Sequence, residues 1–218
     1  MNIKSRIDNL RENIKEYNPE LVLVTKYAQD EDVRKAYKYG ERNFGENYIQ
    51  NLVKKASEFP EDVKWHFLGH IQTNKIKLLS SVPNLSCIHS IDSIRVVKKI
   101  ENTFNRKIDA FIEINLSGDE SKTGIKESEL FNFLDELVKI DIKHLNFIGL
   151  MTISPLHGND DDKEKCFLKL NNLLKTINLK YENSRLSLKE LSMGMTDDYK
   201  IALKNGATYI RIGSLIFN

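Results

Sequence analysis

Residues 20–50 read ELVLVTKYAQDEDVRKAYKYGERNFGENYIQ. Leu21–Val24 is an unbroken apolar run just after Pro19, as expected of a strand covered on both faces. Apolar residues at helical spacing follow at Val33, Ala36 and Tyr37. Gly40 then stands where a helix C-terminal glycine belongs. A second short run, Arg42–Phe44, comes next, and the helical segment Tyr48–Ser57 after it. Strand, loop, helix and return to a strand is the unit of a parallel sheet with helical crossovers.

The unit recurs to the end of the chain. Val63–Leu68 reads as a strand and Asn74–Leu79 as a short helix. Leu85–Ile88, after Pro83, is a strand, followed by a helix near Ser93–Asn102. Ala110–Ile114 precedes a helix at Glu127–Ile140, and Asn146–Met151 one at Lys163–Ile177. Leu188–Met193 is the seventh strand, Asp197–Asn205 its helix, and Tyr209–Ile212 the eighth strand. An N-terminal helix carries Ile3, Ile7, Leu10 and Ile14 on one stripe. This is the pattern of an α/β fold, a (β/α)8 TIM barrel, with one domain over residues 1–218. Such barrels commonly take about 250 residues, so the loops should be compact. The competing architecture is an open doubly wound sheet, but no GxGxxG follows the first strand. AYKYGERNFGEN and ALKNGATYIRIGS each combine a helix end, a glycine, a short strand and a second glycine, which marks two similar turns.

Composition excludes several function classes. The chain has 218 residues, 40% hydrophobic and 29% charged, with a formal net charge of +2. Lysines are interspersed with acids rather than gathered on a basic stripe, so nucleic-acid binding is not expected. Cys87 and Cys166 lack metal or CxxC spacing, which favours free thiols in a reducing cytoplasm. No apolar run approaches the roughly 18 residues of a membrane span, and the N-terminus lacks a signal-peptide core.

In barrels of this kind ligands bind at the C-terminal ends of the strands. Lys26 follows the first strand, Gly45, Glu46 and Asn47 the second, and Gly69 and His70 the third. Met151 and Thr152 follow the sixth, Met193, Gly194 and Met195 the seventh (with Ser192 at its end), and Gly213 and Ser214 the eighth. A lysine leaving a buried strand meets low-dielectric walls, which disfavour the ammonium and favour a nucleophilic amine. The bland alternative is a solvated lysine at a loop start. Gly213 and Ser214 offer backbone N–H groups to a phosphate. The first strand of a closed barrel pairs with the eighth, so amine and phosphate nest become neighbours. An amine beside such a nest points to an aldehyde-bearing phosphate. Arg211 would be either a structural ion-pair member or a partner for a cofactor's pyridine nitrogen. Because arginine donates without giving up a proton, it would leave that nitrogen unprotonated and the ring a weak electron sink.

Seven stretches then carry a resemblance: LVTKYAQ, FGENYIQ, KWHFLGHIQTNK, EINLSGDESKTG, FIGLMTISP, LSMGMTDD and ATYIRIGSLIF. In that order, over residues 1–218, the sequence resembles the YggS/PROSC family of pyridoxal phosphate homeostasis proteins. The resemblance implies a barrel like the N-terminal domain of alanine racemase. It implies pyridoxal 5′-phosphate (PLP) held as an internal aldimine on Lys26, with Ser192, Gly213 and Ser214 on the phosphate and Arg211 facing the ring nitrogen. Asn47 and Met193 would line the pocket, and Lys122 would bear on PLP exchange or be a solvated loop lysine. Thr25, Ala28 and Asn218 depart from the serine, proline and glycine common in the family.

The function implied is PLP carriage in vitamin B6 homeostasis with little or no catalysis. Two-base racemisation needs a tyrosine from a second domain, for which no stretch follows the eighth strand. The alternatives are a racemase or lyase of low activity, a Schiff-base aldolase without PLP, and a protein delivering PLP to apo-enzymes. A monomer is expected. His66 and His70 lie about 13 Å apart if both are in an extended strand, so no shared metal is expected. His66 reads as a satisfied interior histidine, His70 as lining the mouth, and Trp65 and Cys87 as core. The acidic run Asn159–Glu164 reads as a helix N-terminus, and Glu113 and Asp197 receive no role.

Overall fold

A computed structural model describes residues 2–119 and 122–218. Eight parallel strands form the barrel: β1 (Glu20–Val24), β2 (Asn43–Glu46), β3 (Lys64–Phe67), β4 (Leu85–Ile91), β5 (Ile108–Asn115), β6 (Leu145–Met151), β7 (Glu190–Ser192) and β8 (Tyr209–Ile212). Each pairs with its neighbour in order; β4 pairs with β5 and β1 with β8, so the sheet closes. A two-residue strand, Ile125–Lys126, adds to the end of β5 and was not foreseen.

The helices are α1 (Ile3–Ile14), α2 (Asp30–Lys38), α3 (Ile49–Glu58), α4 (Ile76–Ser80), α5 (Ile94–Glu101), α6 (Leu130–Leu137), α7 (Asp160–Lys180), α8 (Tyr199–Lys204) and α9 (Ser214–Phe217). The stripe Ile3, Ile7, Leu10 and Ile14 is the buried face of α1. Arg6 Nη1 donates to the Ile216 carbonyl, tying α1 to α9. The acidic run starts α7: the Asn159 side chain accepts from the Asp162 N–H, and the Asp162 side chain accepts in return from the Asn159 N–H. Three aspartates in the first turn suit the helix dipole.

Strand alternation sorts the side chains into two environments. Outward positions such as Leu23, Phe44, Trp65, Ile88, Ile112, Leu150, Leu191 and Ile210 join one aliphatic and aromatic core with the helices. Inward positions form a different set. Cys87, Phe111 and Met151 make a second small cluster with Tyr209, and His89 stacks on Phe111 with ring centroids 4.6 Å apart. His66, Ser192 and Arg211 share this interior. The sequence runs read as uniformly buried therefore conceal an alternation between an oily outer face and a polar, aromatic inner one.

β6 and β7 approach closely. A Cβ built on Gly149 would lie 1.9 Å from the Glu190 carbonyl oxygen. Gly149→Ala is expected to cost about 3 kcal/mol or more through forced strand separation, measured as a lower urea midpoint.

Candidate cofactor site at the barrel mouth

The C-terminal ends of the strands enclose a cavity of about 400 Å³. Ligand pockets commonly span ~300–1,000 Å³. Lys26, Asn47, Arg211, Gly213 and Ser214 line it together, joined by Tyr27, Leu68, Met151, Met195, Thr196 and Asp197. A larger groove of about 670 Å³ lies on the outer surface beside α5 and takes in none of these residues.

Two expected residues lie elsewhere. Ser192 is fully buried below the cavity, where its hydroxyl accepts from Arg211 Nη1 (2.7 Å) and lies 2.8 Å from His89 Nδ1. Met193 faces the opposite way, into the core shared with the helices. Alternation along the strand sends neighbouring side chains to opposite faces, so Met193 does not line the pocket. The dry setting expected for Lys26 is also absent. Lys26 is exposed at the rim, with Nζ 4.7 Å from the centre of the Tyr27 ring.

The loop carrying Lys26 is braced from beneath. Lys55, on the buried face of α3, donates from Nζ to the Thr25 carbonyl (2.7 Å) and lies 3.3 Å from Glu46 Oε2. Thr25 Oγ1 donates to the same Glu46 oxygen at 2.9 Å. This ion pair is almost wholly buried, so each charge depends on the other. Sequence reasoning missed Lys55, yet the signal was present: Ile49, Leu52 and Lys55 share the buried face, and a lysine on an apolar stripe needs a partner.

Asn47 follows β2 and lines the cavity, and among the described residues its buried Oδ1 has no hydrogen-bond partner. A buried acceptor left single is the exception in folded proteins and fits a ligand donor. Gly69 permits the local geometry, since a Cβ there would lie 1.9 Å from the Asn47 carbonyl oxygen. Arg211 is 4% exposed and also donates from Nη2 to the Thr152 carbonyl (3.0 Å). Burial lowers its pKa to about 10, while Asp198 and Glu113 oppose that shift. It remains a cation at neutral pH. The start of α9 adds backbone donors, and Ser214 Oγ donates to Thr196 Oγ1 at 3.1 Å. These residues together fit an anionic, hydrogen-bonding ring ligand that carries a phosphate and an aldehyde.

The remaining candidates sort as follows. His70 is exposed and lies 3.2 Å from Asp92 rather than in the cavity. His66 is interior, between His89 and Asn43. Trp65 and Cys87 are buried. Glu113 accepts from Thr123 Oγ1 (2.7 Å), and burial raises its carboxyl above the usual range. Lys122 Nζ donates to the Ser154 carbonyl at 3.3 Å and shares a smaller pocket with Glu113 and Thr123. Glu120 and Ser121 of the EINLSGDESKTG motif lie outside the described residues. No helix among the described residues is long and apolar enough to cross a membrane.

The barrel and its mouth match a known class. The family model of the alanine racemase N-terminal domain covers residues 1–218. A Schizosaccharomyces pombe pyridoxal phosphate homeostasis protein is 35% identical over 99% of this chain and 92% of its own length. One from Synechocystis is 38% identical over 90% of this chain and 89% of its own. The solved structure of PipY from Synechococcus elongatus with PLP bound superposes with a TM-score of 0.89, at 29% identity, covering 99% of this chain and all of that one. The chain belongs to the alanine racemase N-terminal domain family, among the pyridoxal phosphate homeostasis proteins.

Two expectations follow from the buried charges. Lys55→Met leaves Glu46 without its cation and should cost about 3–5 kcal/mol. Adding Glu46→Leu should restore much of that loss in the same denaturant titration. Burial and Lys64 lower His66 to about 3 from its ordinary 6.5, and burial, His66 and Arg211 lower His89. The unfolded chain then binds more protons than the native one below about pH 6.5. Stability should therefore fall as pH drops from 6.5 towards 3, by up to about 1.4 kcal/mol per pH unit for each histidine. Denaturant titrations at successive pH values should show a shallower dependence in His66→Gln.

Proposed function

We propose that the chain holds PLP at the barrel mouth through Lys26 and serves intracellular PLP homeostasis with little or no catalysis. The carrying observation is the convergence of Lys26, Asn47, Arg211, Gly213 and Ser214 on one cavity. The names of its relatives and the PLP-bound Synechococcus structure support the reading. When bound, PLP supplies an aldehyde that condenses reversibly with a primary amine, and a ring nitrogen whose protonation sets its strength as an electron sink.

Lys26 Nζ is the amine, on a rim position open to exchange. Lys55 and Glu46 hold the preceding peptide and so orient that amine. Gly213, Ser214 and Thr196 receive the phosphate, while Ser192, buried below, contacts Arg211 and not the phosphate. Asn47 supplies a single acceptor at the wall. Arg211, a fixed cation with no proton to give at neutral pH, faces the ring nitrogen and keeps it unprotonated. That arrangement favours carriage over carbanion chemistry. Lys122, beside the mouth, assists exchange. The two buried free cysteines suit a reducing cytoplasm, where a monomer of this kind could pass PLP to apo-enzymes.

Purified protein should show a visible absorbance band that borohydride removes, and peptide mass spectrometry should place the phosphopyridoxyl group on Lys26. Lys26→Ala should lack both. A protein that gains no band in excess PLP, or that carries the label elsewhere, would overturn the reading. Steady turnover of an amino acid would replace carriage with racemase or lyase activity.

A further inference from the structure

Below the cavity a series of hydrogen bonds crosses the barrel from mouth to floor. Arg211 Nη1 donates to Ser192 Oγ, and Ser192 Oγ lies 2.8 Å from His89 Nδ1. His89 Nε2 is 3.0 Å from His66 Nδ1, and His66 Nε2 is 3.2 Å from Asn43 Oδ1. Asn43 Nδ2 donates to Glu20 Oε2 at 3.0 Å. The six residues come from β8, β7, β4, β3, β2 and β1, one from each strand.

The direction of every bond follows from its two ends. A carboxylate only accepts, so Asn43 must turn its NH₂ to Glu20 and its carbonyl to His66. His66 Nε2 therefore carries the proton. Burial keeps His66 neutral, so its Nδ1 accepts, and the proton between the two rings belongs to His89 Nε2. His89, also neutral, then accepts at Nδ1 from the Ser192 hydroxyl. Ser192 has committed its only proton and turns lone pairs to Arg211, which can only donate. Reversing one imidazole would set two lone pairs or two protons face to face at 3.0 Å. Reversing all of them is blocked by Glu20. Cys87 Sγ lies within 4.8 Å of the facing imidazole nitrogens. With all four imidazole nitrogens engaged in the series, this cluster reads as part of the relay and not as a metal site.

We propose that His89 and His66 are positioning residues that act through Ser192 to hold Arg211 as a fixed donor towards the PLP ring nitrogen. This rests on the reading that Arg211 faces that nitrogen. The Thr152 carbonyl fixes one corner of the guanidinium and the Ser192 lone pair another, which leaves the remaining N–H donors a set direction. The relay also presents the lone-pair end of each dipole to the cation, and its opposite end is met by a carboxylate. A cofactor-tuning group at the mouth is thus held by residues on the barrel floor.

The test uses PLP-loaded protein with ¹⁵N-histidine, and then PLP labelled with ¹⁵N in the ring. In the wild type both His66 and His89 should show a protonated Nε2 and a bare Nδ1, and the His89 Nδ1 resonance should move on PLP loading. In His89→Phe, which keeps a ring against Phe111, the ring-nitrogen resonance and the visible band should shift while the label stays on Lys26. PLP release should quicken by up to about tenfold, the scale of one lost hydrogen bond between neutral groups. A protonated Nδ1 on either histidine in the wild type would overturn the proposal. So would a folded His89→Phe with an unchanged ring-nitrogen resonance. If that variant does not fold, a His89 Nδ1 resonance indifferent to PLP loading overturns it instead. Failure of the underlying reading looks different: Arg211→Gln would then leave the ring-nitrogen resonance in place.

Discussion

Arg211 sits 4% exposed inside a barrel, and burial brings its pKa only down to about 10. A charge that cannot be discarded must be met by oriented dipoles, because an unpaired buried ion is among the costliest defects a protein can hold. Much of the interior answers that need. Ser192 and the Thr152 carbonyl accept directly, His89 and His66 set the polarity of Ser192, and Asp198 and Glu113 add negative charge nearby. Both histidines stay neutral chiefly because burial disfavours their charged form, with repulsion from Lys64 adding to this at His66 and from His66 and Arg211 at His89. Phe111 and Tyr209 fill the remaining volume as rings packed around His89.

The rim is held by a different device. Lys55 and Glu46 form a buried pair whose role lies in where it places a peptide, since buried ion pairs add little net stability over apolar packing. Thr25 joins both the pair and the strand end, so the segment entering Lys26 is defined although Lys26 itself is exposed. A rigid base beneath a free amine suits reversible loading. Floor and rim thus divide the work: one sets the electrostatics of the cavity, the other the position of the nucleophile.

The repeated strand–helix unit was legible because hydrophobic period and turn glycines are local properties, and boundaries agreed to within a few residues. Arg42–Phe44 became Asn43–Glu46, so Gly45 and Glu46 moved from loop into strand. Lys26, Asn47, Gly213 and Ser214 were placed at the mouth by one rule, that residues just past parallel strands face the ligand side, whereas Arg211 was singled out within the last strand beside them. Ser192 ends β7 and Met193 follows it, and at that strand end one residue decides between interior and exterior.

By itself the sequence determined the element order, the closed parallel architecture and the identity of the residues at the strand ends, because each depends on spacing along the chain. Tertiary structure alone decided which strand side chains face inward. It also decided which buried polar groups meet: Lys55 with Glu46 and Thr25, and His89 with His66 and Ser192. The physical reason is range. Hydrophobic periodicity is written over a few residues, whereas His89 and Ser192 are separated by 103 positions and meet only when the sheet closes.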